Sequence, residues 1–92
     1  MSDYKELLKH ILASYADSLR SSRKLTQEEM AEHLRISSRS YSDLERGIYC
    51  FSTPALLFLL LQLDEAERSS LLEDFRNAVD EMESQECPYE HH

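Results

Sequence analysis

Hydrophobic residues recur at the spacing of an α-helix over most of the chain. In residues 3–21 they stand three or four positions apart, which aligns them along one side of a helix. That stripe consists of Tyr4, Leu8, Ile11, Leu12, Tyr15 and Leu19. A similar stripe in residues 65–84 consists of Leu71, Leu72, Phe75, Ala78, Val79 and Met82. We therefore predict a long helix near each end of the chain.

Two short helices are predicted in the middle from the residues at their ends. Thr26 and Glu29 have the spacing of a capping box, in which each side chain bonds the backbone N–H of the other, so a helix is predicted at 26–34. Ser37 is the predicted cap of the next helix, at 38–46. Gly47 is suited to end that helix because glycine readily adopts a positive φ.

The last two helix starts are also marked by local signals. Thr53 followed by Pro54 predicts a helix at 54–63, with Thr53 as its cap and Pro54 as its first residue. Asp64 and Glu67 form a second capping pair, at the start of the helix at 65–84.

Composition agrees with an all-α, five-helix bundle. The 92 residues include one glycine and two prolines, too few for a loop-rich β fold. We expect one domain over residues 1–84, with a frayed tail at 85–92 whose terminal histidines are either native or a tag remnant. No leader segment is apparent and no apolar run spans a bilayer, so a cytoplasmic protein with free thiols at Cys50 and Cys87 is expected.

Charge is distributed unevenly along the chain. Its formal net charge is −8, with 18 acidic and 10 basic residues. Residues 20–47 have a net charge of +1, whereas residues 64–92 have a net charge of −8. The central segment is therefore the part of the chain that is compatible with a polyanionic ligand.

Two short helices joined by a tight turn are typical of a helix-turn-helix. The segment LTQEEMAEHLRISSRSYSDLERG, residues 25–47, resembles the Xre-type family, which includes lambda-like repressors and Cro. The resemblance covers residues 8–63 and implies a lambda-repressor-like domain, here with an added C-terminal helix. The residues that carry it are Gln27, Ala31, Ile36, Tyr41, Leu44, Glu45, Arg46 and Gly47.

The second helix of the motif is predicted to present a polar outer face. If Tyr41 and Leu44 face the core, the helical period places Ser38, Arg39, Ser42, Asp43 and Arg46 outside. Arg39 can reach O6 and N7 of a guanine, and Asp43 either accepts from a cytosine amino group or orients Arg39. The resemblance implies the same base-reading set: Ser38, Arg39, Ser42 and Asp43.

The resemblance also implies phosphate contacts and a structural ion pair. Gln27, Ser37 and Arg46 match positions that lie near phosphates in the family, and we add Arg35 and Lys24 as basic candidates beside them. Arg35 stands where the family usually has a turn glycine, so either the turn is remodelled, or the arginine is useful beside the groove, or it is solvated. Arg20 and Glu45 match a pair that holds the recognition helix against the first helix.

The leucine-rich segment 55–63 is apolar on all sides and therefore needs covering. Either the first and last helices cover it in a monomer, or a second subunit does so in a dimer that suits a palindromic operator. The candidate interface residues are Leu57, Leu60, Leu61 and Phe75.

We predict a DNA-binding transcriptional regulator, a repressor and homodimer, whose helix 38–46 enters the major groove. No catalytic motif, cofactor site or metal-ligand spacing is apparent, including around His10 and His33, so no enzyme activity is expected. The alternative is a protein-interaction module on the same fold, such as an antitoxin, anti-repressor or regulator cofactor, acting through its acidic C-terminal helix. Acidic residues surrounding helix 38–46 would favour that alternative.

Overall fold

Five α-helices follow one another along the part of the chain that the computed structural model describes, residues 4–86. They are α1 (Tyr4–Ser22), α2 (Gln27–Leu34), α3 (Ser38–Glu45), α4 (Thr53–Gln62) and α5 (Glu65–Glu86). That part of the chain contains no strand, which confirms the all-α prediction. None of its helices combines the length and apolar character that a bilayer crossing requires. Of the predicted tail, Gln85 and Glu86 continue α5, and residues 87–92, with Cys87 and the terminal histidines, lie outside the described residues.

Helix starts follow the capping signals of the sequence, with one exception. Thr26 accepts from the Glu29 backbone N–H at 3.1 Å while the Glu29 carboxylate accepts from the Thr26 N–H at 2.9 Å. Ser37 caps α3 by accepting from the Ser40 N–H at 3.1 Å. The prediction for α4 is wrong by one residue. Its cap is Ser52, whose hydroxyl accepts from the Ala55 N–H at 3.3 Å, and Thr53 is already helical.

Helices α1, α2 and α3 all end with the same pair of backbone hydrogen bonds. A residue with positive φ follows each helix and donates its N–H to the carbonyl three positions earlier. The next residue donates its N–H to the carbonyl five positions earlier. At the end of α3 this residue is Gly47 (φ 75°), as predicted. At the ends of α1 and α2 the position is taken by Lys24 (φ 57°) and Arg35 (φ 62°). The turn after α2 is therefore not remodelled, although a side chain costs on the order of 1 kcal/mol in this conformation.

The core lies where α2 and α3 pack against each other, with α1 behind α3 and α4 against α2. The largest fully buried side chains are Leu12, Met30, Leu34, Tyr41 and Leu59. Tyr41 and Leu44 of α3 face this core, whereas Ser38, Arg39 and Ser40 of the same helix are exposed to solvent.

Helix α5 runs antiparallel along α1, where the Tyr15 hydroxyl lies 2.8 Å from Ser70 Oγ and 2.6 Å from Asp74 Oδ2. The Tyr4 hydroxyl donates to Glu83 at the far end of the pair. Leu71 is buried, whereas Leu72, which belongs to the same predicted apolar stripe, is 63 % exposed.

Candidate nucleic-acid interface

The inner face of α3 is attached to the domain through the carboxylate of Glu45. Arg20 of α1 donates to it twice, from Nε to Oε2 at 2.8 Å and from Nη2 to Oε1 at 3.3 Å. Gln27 of α2 donates to Oε1 at 2.7 Å, and the hydroxyl of Tyr41 donates to Oε2 at 2.9 Å. One carboxylate therefore joins three helices, and the Arg20–Glu45 contact implied by the family resemblance is present.

Charge and burial in this network favour the ionised form of Glu45. Burial by itself raises the pKa of Glu45, since only 9 % of the side chain is exposed. The hydrogen bonds from Arg20, Gln27 and Tyr41 outweigh burial and hold that pKa below its ordinary value of 4.5. Burial, together with the bond to Glu45, raises the pKa of Tyr41, which keeps its hydroxyl protonated as a donor.

The outer face of α3 carries the predicted base-reading residues in two environments. Ser38 and Arg39 are exposed at the N-terminal end of the helix, and Arg39 has no hydrogen-bond or ion-pair partner among residues 4–86. Ser42 and Asp43 are only half-exposed, further along the same face. The structure therefore brings the four residues together on one face, with Arg39 the most accessible charge.

Asp43 pairs with a different arginine from the one considered in the sequence. Its carboxylate lies 2.8 Å from Nη2 of Arg46, three positions later, and not against Arg39. The hypothesis that Asp43 orients Arg39 is therefore wrong in this structure. The pairing leaves the guanidinium of Arg39 available and gives Arg46 an intramolecular partner that a phosphate would have to replace.

Most of the side chains predicted to contact phosphates already make intramolecular contacts that stabilise the fold. The amide nitrogen of Gln27 is bound to Glu45, and the hydroxyl of Ser37 caps α3. The guanidinium carbon of Arg35 lies 4.4 Å from the ring centroid of Phe58 on α4, a cation–π contact, and its Nη1 donates to the carbonyl of His33 at 2.8 Å. Lys24 is exposed at the end of α1.

Two features of the site were not predicted from the sequence. The hydroxyl of Tyr41 and the amide of Gln27 belong to the Glu45 network, whereas Tyr41 was predicted only as a core residue. The spacing of Tyr41 and Glu45, four positions apart on one helix, was a usable signal. The contact between Gln27 and Glu45, 18 positions apart, had no local signal.

Basic and acidic residues both lie around the α2–α3 unit. Arg23 donates to the carbonyl of Gln62 at 2.8 Å, which ties the end of α1 to the end of α4. The first turn of α2 exposes Glu28 and Glu29. On α3 itself the acidic residues are Asp43 and Glu45, and both are paired with arginines. In the described part of the chain, acidic residues without an arginine partner therefore occur beside α3, on α2, but not on the outer face of α3.

Metal-binding chemistry finds no support in the described part of the chain, where no three ligand-type residues come together. His10 lies 3.3 Å from Glu6 on the exposed side of α1. Cys50 is a free thiol in the loop between α3 and α4.

Comparison with known proteins gives one match. A family model described as a helix-turn-helix domain matches residues 11–71, which is more than half of the chain. No curated protein and no solved structure matches the chain at a significant level. The matched residues contain α2, the turn and α3 in full, with Arg20, Arg39 and Glu45 among them. The chain belongs to the helix-turn-helix domain family, whose DNA-binding members place the second helix of the motif in the major groove.

Proposed function

We propose that this chain is a small transcriptional regulator of the Xre type, a repressor that binds duplex DNA sequence-specifically with α3 in the major groove. It acts from the cytoplasm by occupying its operator, without catalysis of its own. Four residues of α3 read base edges: Ser38, Arg39, Ser42 and Asp43.

The observation that carries the proposal is the division of α3 into two faces. Tyr41, Leu44 and Glu45 hold the helix on the domain, and the side chains of all three are turned away from solvent. Ser38 and Arg39 are exposed at the N-terminal end of the helix, the end that helix-turn-helix proteins direct at base edges. A helix fixed to the domain by its inner face, with an arginine at this position that has no partner among residues 4–86, is suited to bidentate recognition of guanine.

Electrostatics favour a binding mode that depends on base contacts. Phosphate attraction is sequence-independent, and the acidic excess of the C-terminal half opposes it. The exposed carboxylates of Glu28 and Glu29 act in the same direction on α2. We therefore expect weak non-specific binding, so that the correct base sequence supplies most of the affinity.

A binding selection on random duplexes at two salt concentrations tests the proposal. The wild type is expected to enrich one sequence, and Arg39→Ala is expected to lose the preference for one base pair, at a cost of about 1–3 kcal/mol. Arg76→Ala is the matched control, because Arg76 is an exposed arginine on α5. Absence of any enriched sequence for the wild type would overturn the proposal.

Lys24 provides a second variant for the same selection. As a phosphate contact, Lys24→Ala weakens binding to every duplex alike and lowers the slope of log affinity against log salt by about 1. A change in base preference with Lys24→Ala would contradict that role.

We also propose that the regulator is a homodimer through α4. Leu57 and Leu61 stand one turn apart on this helix and are 55 % and 72 % exposed, while Leu60 and Phe75 are half-buried. The sequence of α4 contains no charged residue. Since each chain has a net charge of −8, two copies repel each other least where α4 meets α4. A two-fold dimer suits a palindromic operator, whose half-sites lie ~34–36 Å apart for helix-turn-helix dimers in general.

Sedimentation analysis over a concentration series tests the dimer. The wild type is expected to associate, and Leu61→Glu is expected to remain monomeric and to lose affinity for a palindromic site. Leu72→Glu is the matched control, because Leu72 is a similarly exposed leucine on α5. A wild type that stays monomeric, or an associating Leu61→Glu variant, would contradict the α4 interface.

A further inference from the structure

We propose that the groove between α1 and α5 is a docking site for a cationic amphipathic helix of a partner protein. This groove has a volume of about 520 Å³ and lies away from the outer face of α3. Its apolar lining consists of two half-buried residues from each helix: Leu7 and Ile11 from α1, and Ala78 and Met82 from α5.

The groove follows from how α1 and α5 pack. The two helices run antiparallel, and each contributes a pair of apolar residues four positions apart, which places the pair one above the other on the helix surface. Ala78 is small, so the surface is recessed between the two rows. A third helix can lay an apolar stripe of the same spacing into this recess, as helices that bind in grooves do.

The rim of the groove determines the charge of its occupant. Glu6 lines the groove on the α1 side. On the α5 side, Glu81 lines an adjoining pocket that shares Leu7, Ala78 and Met82 with the groove. Lys9 is already bound to Glu6, with Nζ 3.2 Å from Oε2, and Nε2 of His10 lies 3.3 Å from the same carboxylate oxygen. Helix α5 as a whole contains eight acidic and two basic residues, so the potential along this side of the domain is negative.

The negative charge around the groove decides which class of ligand can bind there. Duplex DNA and anionic lipid surfaces are repelled by the acidic rim, and a second copy of the chain would bring two acidic α5 helices together. A helix that combines aliphatic residues on one face with lysine or arginine beside them satisfies both the lining and the rim. The groove therefore fits a partner of a different kind from the ligand proposed for α3.

The groove also adjoins the end of the recognition helix. His10 lines it, and a Cβ atom placed on Gly47 would lie 3.4 Å from Nδ1 of the same histidine. Gly47 has the positive φ of the turn that follows α3. A helix in the groove thus contacts a side chain that touches the end of α3, so the amide of Gly47 is expected to respond to binding.

Titration with a synthetic leucine–lysine amphipathic peptide, followed by amide and methyl NMR of the full chain, tests the proposal. The expected shifts are confined to Leu7, Ile11, Ala78, Met82 and the Gly47 amide. A peptide of the same composition with a scrambled order, and a leucine–glutamate peptide with the same apolar stripe, are expected to leave these signals unchanged. Shifts located on α4, or equal binding by the leucine–glutamate peptide, would overturn the proposal.

Two single-residue variants test whether the peptide binds in the groove. Met82→Lys places a positive charge in the groove, which repels the cationic peptide and removes an apolar contact. We expect the affinity for the peptide to fall about tenfold, a loss typical of an apolar anchor. Leu72→Lys makes the same type of change outside the groove and is expected to bind as the wild type does. Circular dichroism of each variant separates loss of binding from loss of fold. Equal affinities for Met82→Lys and Leu72→Lys would contradict the site.

Arg39→Ala distinguishes this proposal from the proposed function. The variant is expected to lose operator preference and to keep its affinity for the peptide, because Arg39 does not line the groove. Peptide binding that is lost together with base preference in this variant would contradict an independent second surface.

Discussion

The two faces of α3 use charged residues in opposite ways. On the inner face, the carboxylate of Glu45 is almost completely covered and accepts hydrogen bonds from Arg20, Gln27 and Tyr41. On the outer face, Arg39 is exposed and without a partner in the described chain, and Asp43 and Arg46 pair only with each other. One eight-residue helix is therefore fixed to the domain and still presents an accessible charge, because its contacts with the domain lie on one face.

Glu45→Ala is expected to have the largest effect, because it leaves the buried face of α3 with unpaired donors. We expect the free energy of unfolding to fall by about 3–5 kcal/mol, the cost typical of breaking a buried pair by removing one partner. Asp43→Ala removes the exposed pair of the same helix and is expected to cost no more than about 1 kcal/mol. Urea denaturation measures both, and equal losses would show that the two faces do not differ.

Acidic pH is expected to weaken the contacts of Glu45 without removing its side chain. Because the folded-state pKa of Glu45 lies below its ordinary value, its stabilisation is fully present above about pH 4.5 and is lost as pH falls through the folded pKa. The wild type is therefore expected to lose its stability advantage over Glu45→Gln on acidification. Urea midpoints of both proteins from neutral to acidic pH check this, and a constant difference between them would contradict the assignment.

Arg39→Ala is expected to leave stability within about 0.5 kcal/mol of the wild type, since Arg39 is exposed and has no hydrogen-bond or ion-pair partner in the described part of the chain. Under the proposed function, the effect of Arg39→Ala is expected on DNA binding, as the loss of one base preference. Thermal unfolding and binding measured on the same preparation check the two parts together. A large loss of stability would mean that the outer face also supports the fold.

Lys24→Gly is expected to stabilise the domain, because glycine adopts the positive φ at the end of α1 without strain. The gain is expected to be about 1 kcal/mol. Arg35→Gly relieves a similar strain but gives up the contact with Phe58, which is worth about 0.5–1 kcal/mol, so its net gain is smaller. Thermal unfolding ranks the two variants, and a larger gain for Arg35→Gly would mean that the Phe58 contact contributes nothing.

Local signals predicted most of the fold. The capping pair of Thr26 and Glu29, and that of Asp64 and Glu67, mark helix starts because their partners lie three positions apart. The prediction at Thr53 was wrong because Ser52 and Thr53 are both able to cap, and the sequence does not decide which hydroxyl meets the free N–H. Leu72 follows the helical pattern yet is exposed, since α5 packs along α1 and its apolar stripe is wider than that contact.

The sequence by itself determined the helices, the segregation of acidic residues to the C-terminal half, and the face of α3 that carries Ser38 and Arg39. These properties depend on neighbours within one or two helical turns. Tertiary structure alone decided that Gln27 binds Glu45, that Arg35 stacks on Phe58, and that α1 and α5 leave a groove between them. Such contacts join residues far apart in the chain, and only the packing of whole helices brings those residues together.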